Sequence, residues 1–196
     1  MEDTITAIST PLGEGGIGII RVSGSLAESI AYQCLRKPDS TVIKKMTERH
    51  VYFGELIDDH GKRIDEVIFF LFRSPKSYTR EDLLEIQMHG NELLLQKGIE
   101  TVISHGARLA EPGEFTKRAL LNGRIDLTQA EAVIDLIRAR TERSGRVSLQ
   151  LLAGELSKQI NEIKKKLIDL LSEIEASLDY PEEEISITQK DERIEL

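Results

Sequence analysis

The chain opens with an alternation of apolar and polar side chains. Residues 4–9, TITAIS, follow a period of two and predict a strand. Pro11–Gly18 is a glycine-rich loop, and Ile19–Ser23 predicts a second strand. Ser25 and Glu28 match the S-x-x-E capping box, so a helix is expected from there to about Arg36, with Pro38 and its polar neighbours breaking it. HVYFGELI at 50–57 predicts a strand, and Asp59, His60 and Gly61 a turn. Val67–Phe72, VIFFLF, is a continuous apolar run of the kind expected in a strand buried on both faces. Asp82–His89 alternates again, with Leu84, Ile86 and Met88 on one face and Glu85, Gln87 and His89 on the other. A helix is predicted over Glu92–Ser104, ended by Gly106. Pro112–Gly113 turns the chain into a short helix reaching Asn122–Gly123. Strands and helices mix without strict βαβ repetition, which predicts an α+β class.

Beyond Thr128 the pattern becomes helical throughout. Thr128 and Glu131 match another capping box. Leu149, Leu152, Leu156, Ile160, Ile163, Leu167, Leu170, Ile174 and Leu178 recur at three- and four-residue steps, an amphipathic stripe that Pro181 ends. Such a stripe is expected to pack in a helix bundle or against a partner subunit. The last fifteen residues are acidic and weakly patterned, as a frayed end or a linker would be. The pattern predicts an α+β domain over residues 1–120 and an all-α segment over 121–196.

Composition narrows the class. With 40% hydrophobic residues the chain can build a core. No stretch approaches the roughly 18 apolar residues of a membrane span, and MEDTITAIST has no basic or apolar leader region. Cys34 is the only cysteine, so neither an internal disulfide nor a thiolate-rich zinc site can form. A soluble protein of the reducing cytoplasm is expected. The net charge is −8, of which −6 falls in residues 155–196 and −2 in residues 1–154. An RNA-binding chain usually carries a basic face, so other regions or partners are expected to supply much of any RNA contact.

Several residues invite a chemical reading. Gly13–Gly18 matches G-x-G-x-x-G, yet a strand rather than a helix is predicted after it, so no helix N-terminus is there for a pyrophosphate. A strand-to-strand loop is the expected role. No G-x-x-x-x-G-K-[ST] occurs, so the chain is not expected to hydrolyse GTP. Arg21 lies mid-strand and needs an anionic or acceptor partner, either a salt bridge or a ligand. Glu85 lies on the polar face of its strand, either solvated or offering its two oxygens to an amidine-like ligand edge. His89 reads as structural, and the four histidines lack metal-ligand spacing. Arg124 and Asp126 flank a helix start, where capping and surface pairing are the plain readings.

The segments DTITAISTPLGEGGIGIIRVSG, SYTREDLLEIQMHG and LAEPGEFTKRALLNGRIDLTQAEAVIDLI resemble, in order and spacing, the MnmE (TrmE) family of tRNA-modification GTPases. GELSKQINEIKKKLIDLLSEIEASLDYPEEEI is similar to the first helices of that family's helical domain. The resemblance implies an N-terminal folate-binding and dimerisation domain, similar to the aminomethyltransferase folate-binding fold, followed by the first part of a helical domain. It implies a cofactor, a tetrahydrofolate derivative in its 5-formyl or 5,10-methylene form. The family's folate contacts fall on Arg21, Glu85 and Arg124, with Glu85 suited to the pterin edge and the arginines to the carboxylate tail. It further implies a homodimer, an MnmG-type FAD protein as partner, and modification of C5 of the wobble uridine of tRNA. GTP, magnesium and potassium would belong to a G domain, which this sequence lacks together with the family's C-terminal cysteine motif. The chain is therefore expected to be a fragment or a truncated gene product. The alternative is a non-catalytic scaffold that dimerises and docks its partner, with a degraded folate site. Four departures from the family's usual pattern bear on this: Leu12 for a second proline, Glu14 for a basic residue, Asn91 for the second glycine after His89, and Arg124 for a lysine.

Overall fold

The computed structural model describes residues 3–11 and 13–179. Leu12, the stop at Pro181 and the acidic last fifteen residues lie outside the described residues. The chain divides into two compact units, Met1–Ile125 and Asp126–Leu196.

The first unit is built on a seven-stranded sheet. Its strands are β1 (Ile5–Ile8), β2 (Gly15–Ser23), β3 (Leu35–Arg36), β4 (Tyr52–Ile57), β5 (Arg63–Phe72), β6 (Leu83–Gly90) and β7 (Arg108–Leu109), in the order β3-β4-β5-β6-β2-β1-β7. All neighbours run antiparallel except β1 and β7. Helices α1 (Ala27–Cys34) and α2 (Glu92–Ser104) pack on one face. Between them and the sheet lies the core, which includes Ile20, Val22, Ile30, Leu56, Phe69, Leu71, Leu84, Ile86, Leu95 and Val102. A short helix, α3 (Glu114–Leu121), follows β7.

Four local expectations need correction. VIFFLF is not buried on both faces: Val67, Phe69 and Leu71 enter the core, while Ile68 is 41% exposed and Phe70 and Phe72 are half-buried. An apolar run fixes no period by itself, and here α1 and α2 cover one face. The glycine-rich loop is shorter than predicted, because β2 already begins at Gly15, which pairs with Gly90. That approach needs glycine, since a Cβ on Gly90 would lie 2.5 Å from the Gly15 carbonyl oxygen. The Ser25–Glu28 capping box does not form. Helix α1 starts after Leu26 without a side-chain cap, and the Glu28 carboxylate is taken by Arg73 and Tyr32 instead. In the second unit the box is built by Asp126 and Gln129, two residues upstream of the predicted pair.

The second unit contains α4 (Leu127–Arg138), α5 (Glu142–Leu152) and α6 (Glu155–Asp179). Ala132 of α4 and Ser148 of α5 are buried where these helices meet. The predicted stripe is interrupted at Gly154, whose φ of +82° breaks the chain between α5 and α6. Gln129 Nε2 donates to the Leu152 carbonyl at 2.8 Å and holds that break to α4. Along α6, Ile160, Ile163, Leu167, Ile174 and Leu178 are exposed.

The sheet makes a glycine test possible. A Cβ on Gly54 would lie 2.0 Å from the Arg36 carbonyl oxygen, whereas one on Gly16 meets nothing within 4 Å. Gly54→Ala is expected to cost about 2–3 kcal/mol in a urea melt, and Gly16→Ala less than about 0.5 kcal/mol. Equal midpoints for the two variants would contradict the β3–β4 packing.

Candidate ligand site on the open face of the sheet

The period-two alternation of β2 and β6 places Arg21 and Glu85 on the face away from α1 and α2. They are register partners, flanked by Ala7 on β1 and Phe70 on β5. Their side chains meet: Arg21 Nε donates to Glu85 Oε1 at 2.7 Å, with the two side chains 34% and 12% exposed. A half-buried carboxylate needs such a partner. The pairing leaves both Nη groups of Arg21 and the second oxygen of Glu85 without a hydrogen bond among the described residues.

Tyr78 stands beside this pair. The Arg21 Cζ lies 6.0 Å from its ring centroid, and the Arg124 Cζ lies 4.6 Å from the same centroid. Arg124 Nη1 also donates to the Tyr78 carbonyl at 3.3 Å, and the Tyr78 hydroxyl meets Thr116 Oγ1 at 3.0 Å. The structure therefore brings Arg21 and Arg124 to one aromatic ring, with Glu85 joined to them through its bond from Arg21. Guanidinium groups over an aromatic face are held by cation–π attraction. The assembly can accept hydrogen bonds through one carboxylate, donate them through two guanidiniums, and present a flat ring. That set suits a planar heterocycle bearing neighbouring N–H groups and an anionic extension.

The loop carrying Tyr78, residues 73–82, is fixed at many points. Arg73 donates to Asp82 at 2.8 Å and also pairs with Glu28. Asn122 Nδ2 donates to the Thr79 carbonyl at 2.6 Å, and Arg80 returns a bond to the Asn122 carbonyl at 3.1 Å. Beneath the loop, Ser23 Oγ meets Thr79 Oγ1 at 2.6 Å and donates to Glu81 at 2.8 Å.

Glu81 leads to a buried ion network. The Arg118 side chain is 0% exposed and contacts Glu81 at 3.1 Å, Glu114 at 3.1 Å and Asp3 at 2.9 Å. Arg108 forks onto both oxygens of Glu114, at 2.6 and 2.8 Å, and reaches Asp3 at 2.6 Å. A buried guanidinium is tolerable only with such compensation. The hydrogen bonds from Arg108, joined by the Glu111 amide and Arg118, hold the Glu114 carboxyl down to about 2 against burial, which pushes it up. Asp3 is lowered for the same reason, first by its bond from Arg108.

His89 is not part of this cluster. Its amide donates to Asp65 Oδ2 and its Nδ1 meets Asp65 Oδ1, both at 2.8 Å, so the pair pins the end of β6. Among the described residues no group of three or more His, Cys, Asp or Glu is placed to hold a metal. The glycine-rich run enters a strand rather than a helix. Cys34 is buried, and burial pushes its thiol up to about 12, so it is no nucleophile.

Sequence reasoning missed Tyr78 and the network of Asp3, Glu81, Arg108, Glu114 and Arg118. SYTRED and EPGEFTKRA were conspicuous as strings, but no periodicity assigned roles within them. Nothing local in the sequence marks Arg118 as buried, since Asp3 and Glu81, two of its partners, are far from it along the chain.

Comparisons with known proteins cover both units. Residues 4–124 match the family model described as GTP-binding protein TrmE N-terminus, and residues 127–195 match that of the MnmE helical domain. The chain is similar to the tRNA modification GTPase MnmE of Carboxydothermus hydrogenoformans, at 52% identity over 94% of this chain and 40% of that protein. It is similar to those of Geobacillus kaustophilus, at 49% identity over 92% and 39%, and Lactiplantibacillus plantarum, at 48% over 92% and 38%. The chain thus spans about 40% of the length of these curated relatives.

The lowered Glu114 sets an acid limit. A carboxyl with a depressed folded pKa contributes its full stabilisation above its unfolded value near 4.5, and loses it as pH falls towards about 2. Denaturant stability is expected to be flat above about pH 5 and to fall below it, and Glu114→Gln should cost about 2 kcal/mol at neutral pH. The variant should also flatten the acid limb; an acid limb unchanged in Glu114→Gln would contradict this role.

Proposed function

Since the chain belongs to the MnmE (TrmE) family of tRNA modification GTPases, we propose that the first unit, which extends past the predicted residue 120 to include Arg124, forms a folate-binding and dimerising module. The ligand is a tetrahydrofolate derivative in the 5-formyl or 5,10-methylene form, which supplies a one-carbon unit when bound. The observation that carries this reading is the convergence of Arg21 and Arg124 on Tyr78, with Glu85 paired to Arg21. The donor set fits the ligand. Glu85 Oε2 is free among the described residues and Oε1, which takes one bond from Arg21, keeps a second lone pair, so the two oxygens can face the pterin's adjacent N–H and amino groups. The free Nη groups of Arg21 and the guanidinium of Arg124 suit the carboxylates of the tail. Two copies associate as a homodimer, a reading supported by the exposed Ile17, Phe53 and Ile68 of the first unit.

The second unit, from Asp126, is assigned to the first part of the helical domain. In the longer parent protein, we place this module beside a G domain that hydrolyses GTP with magnesium and potassium. With an MnmG-type FAD protein, the assembly modifies C5 of the wobble uridine of tRNA. The sequence contains no G-x-x-x-x-G-K-[ST], so hydrolysis is assigned to the remainder of such a parent. The proposed setting is the cytoplasm; no helix among the described residues is long and apolar enough to cross a membrane.

Calorimetric titration of 5-formyltetrahydrofolate into the chain tests the reading. Saturable binding is expected, abolished by Arg21→Ala and weakened about ten-fold or more by Glu85→Gln, the loss of one charge-assisted contact. A folded dimer that takes up no folate would favour the scaffold reading instead. Glu85→Gln with unchanged affinity would remove Glu85 from the pterin site.

A further inference from the structure

The net charge of −8 conceals a local concentration of opposite sign. Residues 138–146 hold four arginines and one glutamate. Three of the arginines, Arg138, Arg140 and Arg143, line a cleft of about 690 Å³ at the turn between α4 and α5, floored by Val147 and Leu151. All three are exposed, and none has an ion pair or hydrogen bond among the described residues. In the first unit Arg21, Arg63, Arg73, Arg108 and Arg118 are paired with carboxylates, and Arg36, Arg80 and Arg124 donate to backbone carbonyls. The unpaired trio carries a cost as well. Arg143 is the second residue of α5 and Arg140 directly precedes its N-cap, Thr141, so two cations crowd the positive end of a helix. Neither Asp135 nor Glu142, both adjacent, relieves them with an ion pair. An external anion would relieve all three at once.

We propose that the α4–α5 cleft is a contact site for the phosphate backbone of tRNA, held by Arg138, Arg140 and Arg143. The proposal rests on the tRNA-modification reading above. Three guanidinium forks line one concavity, and each can give a backbone phosphate two parallel hydrogen bonds. Phosphate contacts position an RNA without reading its sequence. The site therefore supplies attachment, not choice of tRNA, and places the helical unit against the substrate while folate sits in the other unit.

Unmodified transcribed tRNA is titrated into the chain at several salt concentrations, beside the triple variants Arg138→Gln/Arg140→Gln/Arg143→Gln and Arg138→Lys/Arg140→Lys/Arg143→Lys. With three phosphates neutralised, affinity should fall roughly 40-fold between about 50 and 200 mM salt. The glutamine variant should lose most of that slope and bind at least about ten-fold more weakly at the lower salt. The lysine variant should keep the slope, since the charges remain. Helix content by circular dichroism and 5-formyltetrahydrofolate affinity should be unchanged in both. No tRNA binding, or equal binding by the glutamine variant, overturns the site. So does displacement of tRNA by polyglutamate at equal charge concentration, which would mark the cleft as a dock for an acidic protein segment. Because folate affinity is read on the same samples, loss of the tRNA site alone is distinguishable from failure of the family-based function.

Discussion

One buried guanidinium organises the first unit. Arg118 sits at zero exposure among Asp3, Glu81 and Glu114, and so joins the start of the chain, the loop before β6 and helix α3. Removing a single partner from such a network leaves a buried charge uncompensated, which is costly. The network therefore forces three distant segments to arrive together. Its output is positional. Glu81 is two residues from Thr79 and three from Tyr78, and Thr79 is bonded to both Ser23 and Asn122. Fixing that loop fixes the ring on which Arg21 and Arg124 converge.

The second constraint is the one-sided cover of the sheet. With α1 and α2 on one face, the other is free to carry polar side chains, and β2 and β6 use it for Arg21 and Glu85. The apolar residues left there, Ile17, Phe53 and Ile68, are more than a lone polar site needs. A ligand site and an apolar surface on the same unit agree with a module that both binds and self-associates. The helical unit follows a different logic. Its small buried residues, Ala132 and Ser148, let α4 and α5 pack, while the apolar stripe of α6 stays exposed.

How much of this was legible in the sequence depended on the range of the interaction. The faces of β6 followed from alternation, and α2 was readable to its end residues, because both are local periodicities. VIFFLF misled because a continuous apolar run contains no period to read. The capping boxes misled because S-x-x-E and T-x-x-E compete with other partners: Glu28 goes to Arg73, and Asp126 caps ahead of Thr128. Arg118 was illegible because its partner Asp3 lies 115 positions away. Arg21, Glu85 and Arg124 were named from family resemblance, but Tyr78, which gathers them, was not. The arginine cleft was hidden for a simpler reason, since overall charge averages away a basic turn inside an acidic chain.

The central claim is that folate is held on the outer face of the sheet around Tyr78. Amide chemical-shift mapping of the labelled chain during addition of 5-formyltetrahydrofolate tests it most directly. Shifts concentrated at Arg21, Tyr78, Glu85 and Arg124, and small along α2 on the opposite face, are the predicted result. Shifts centred instead on the Gly13–Glu14 loop and the start of α2, or no shifts from a folded chain at saturating ligand, would contradict it.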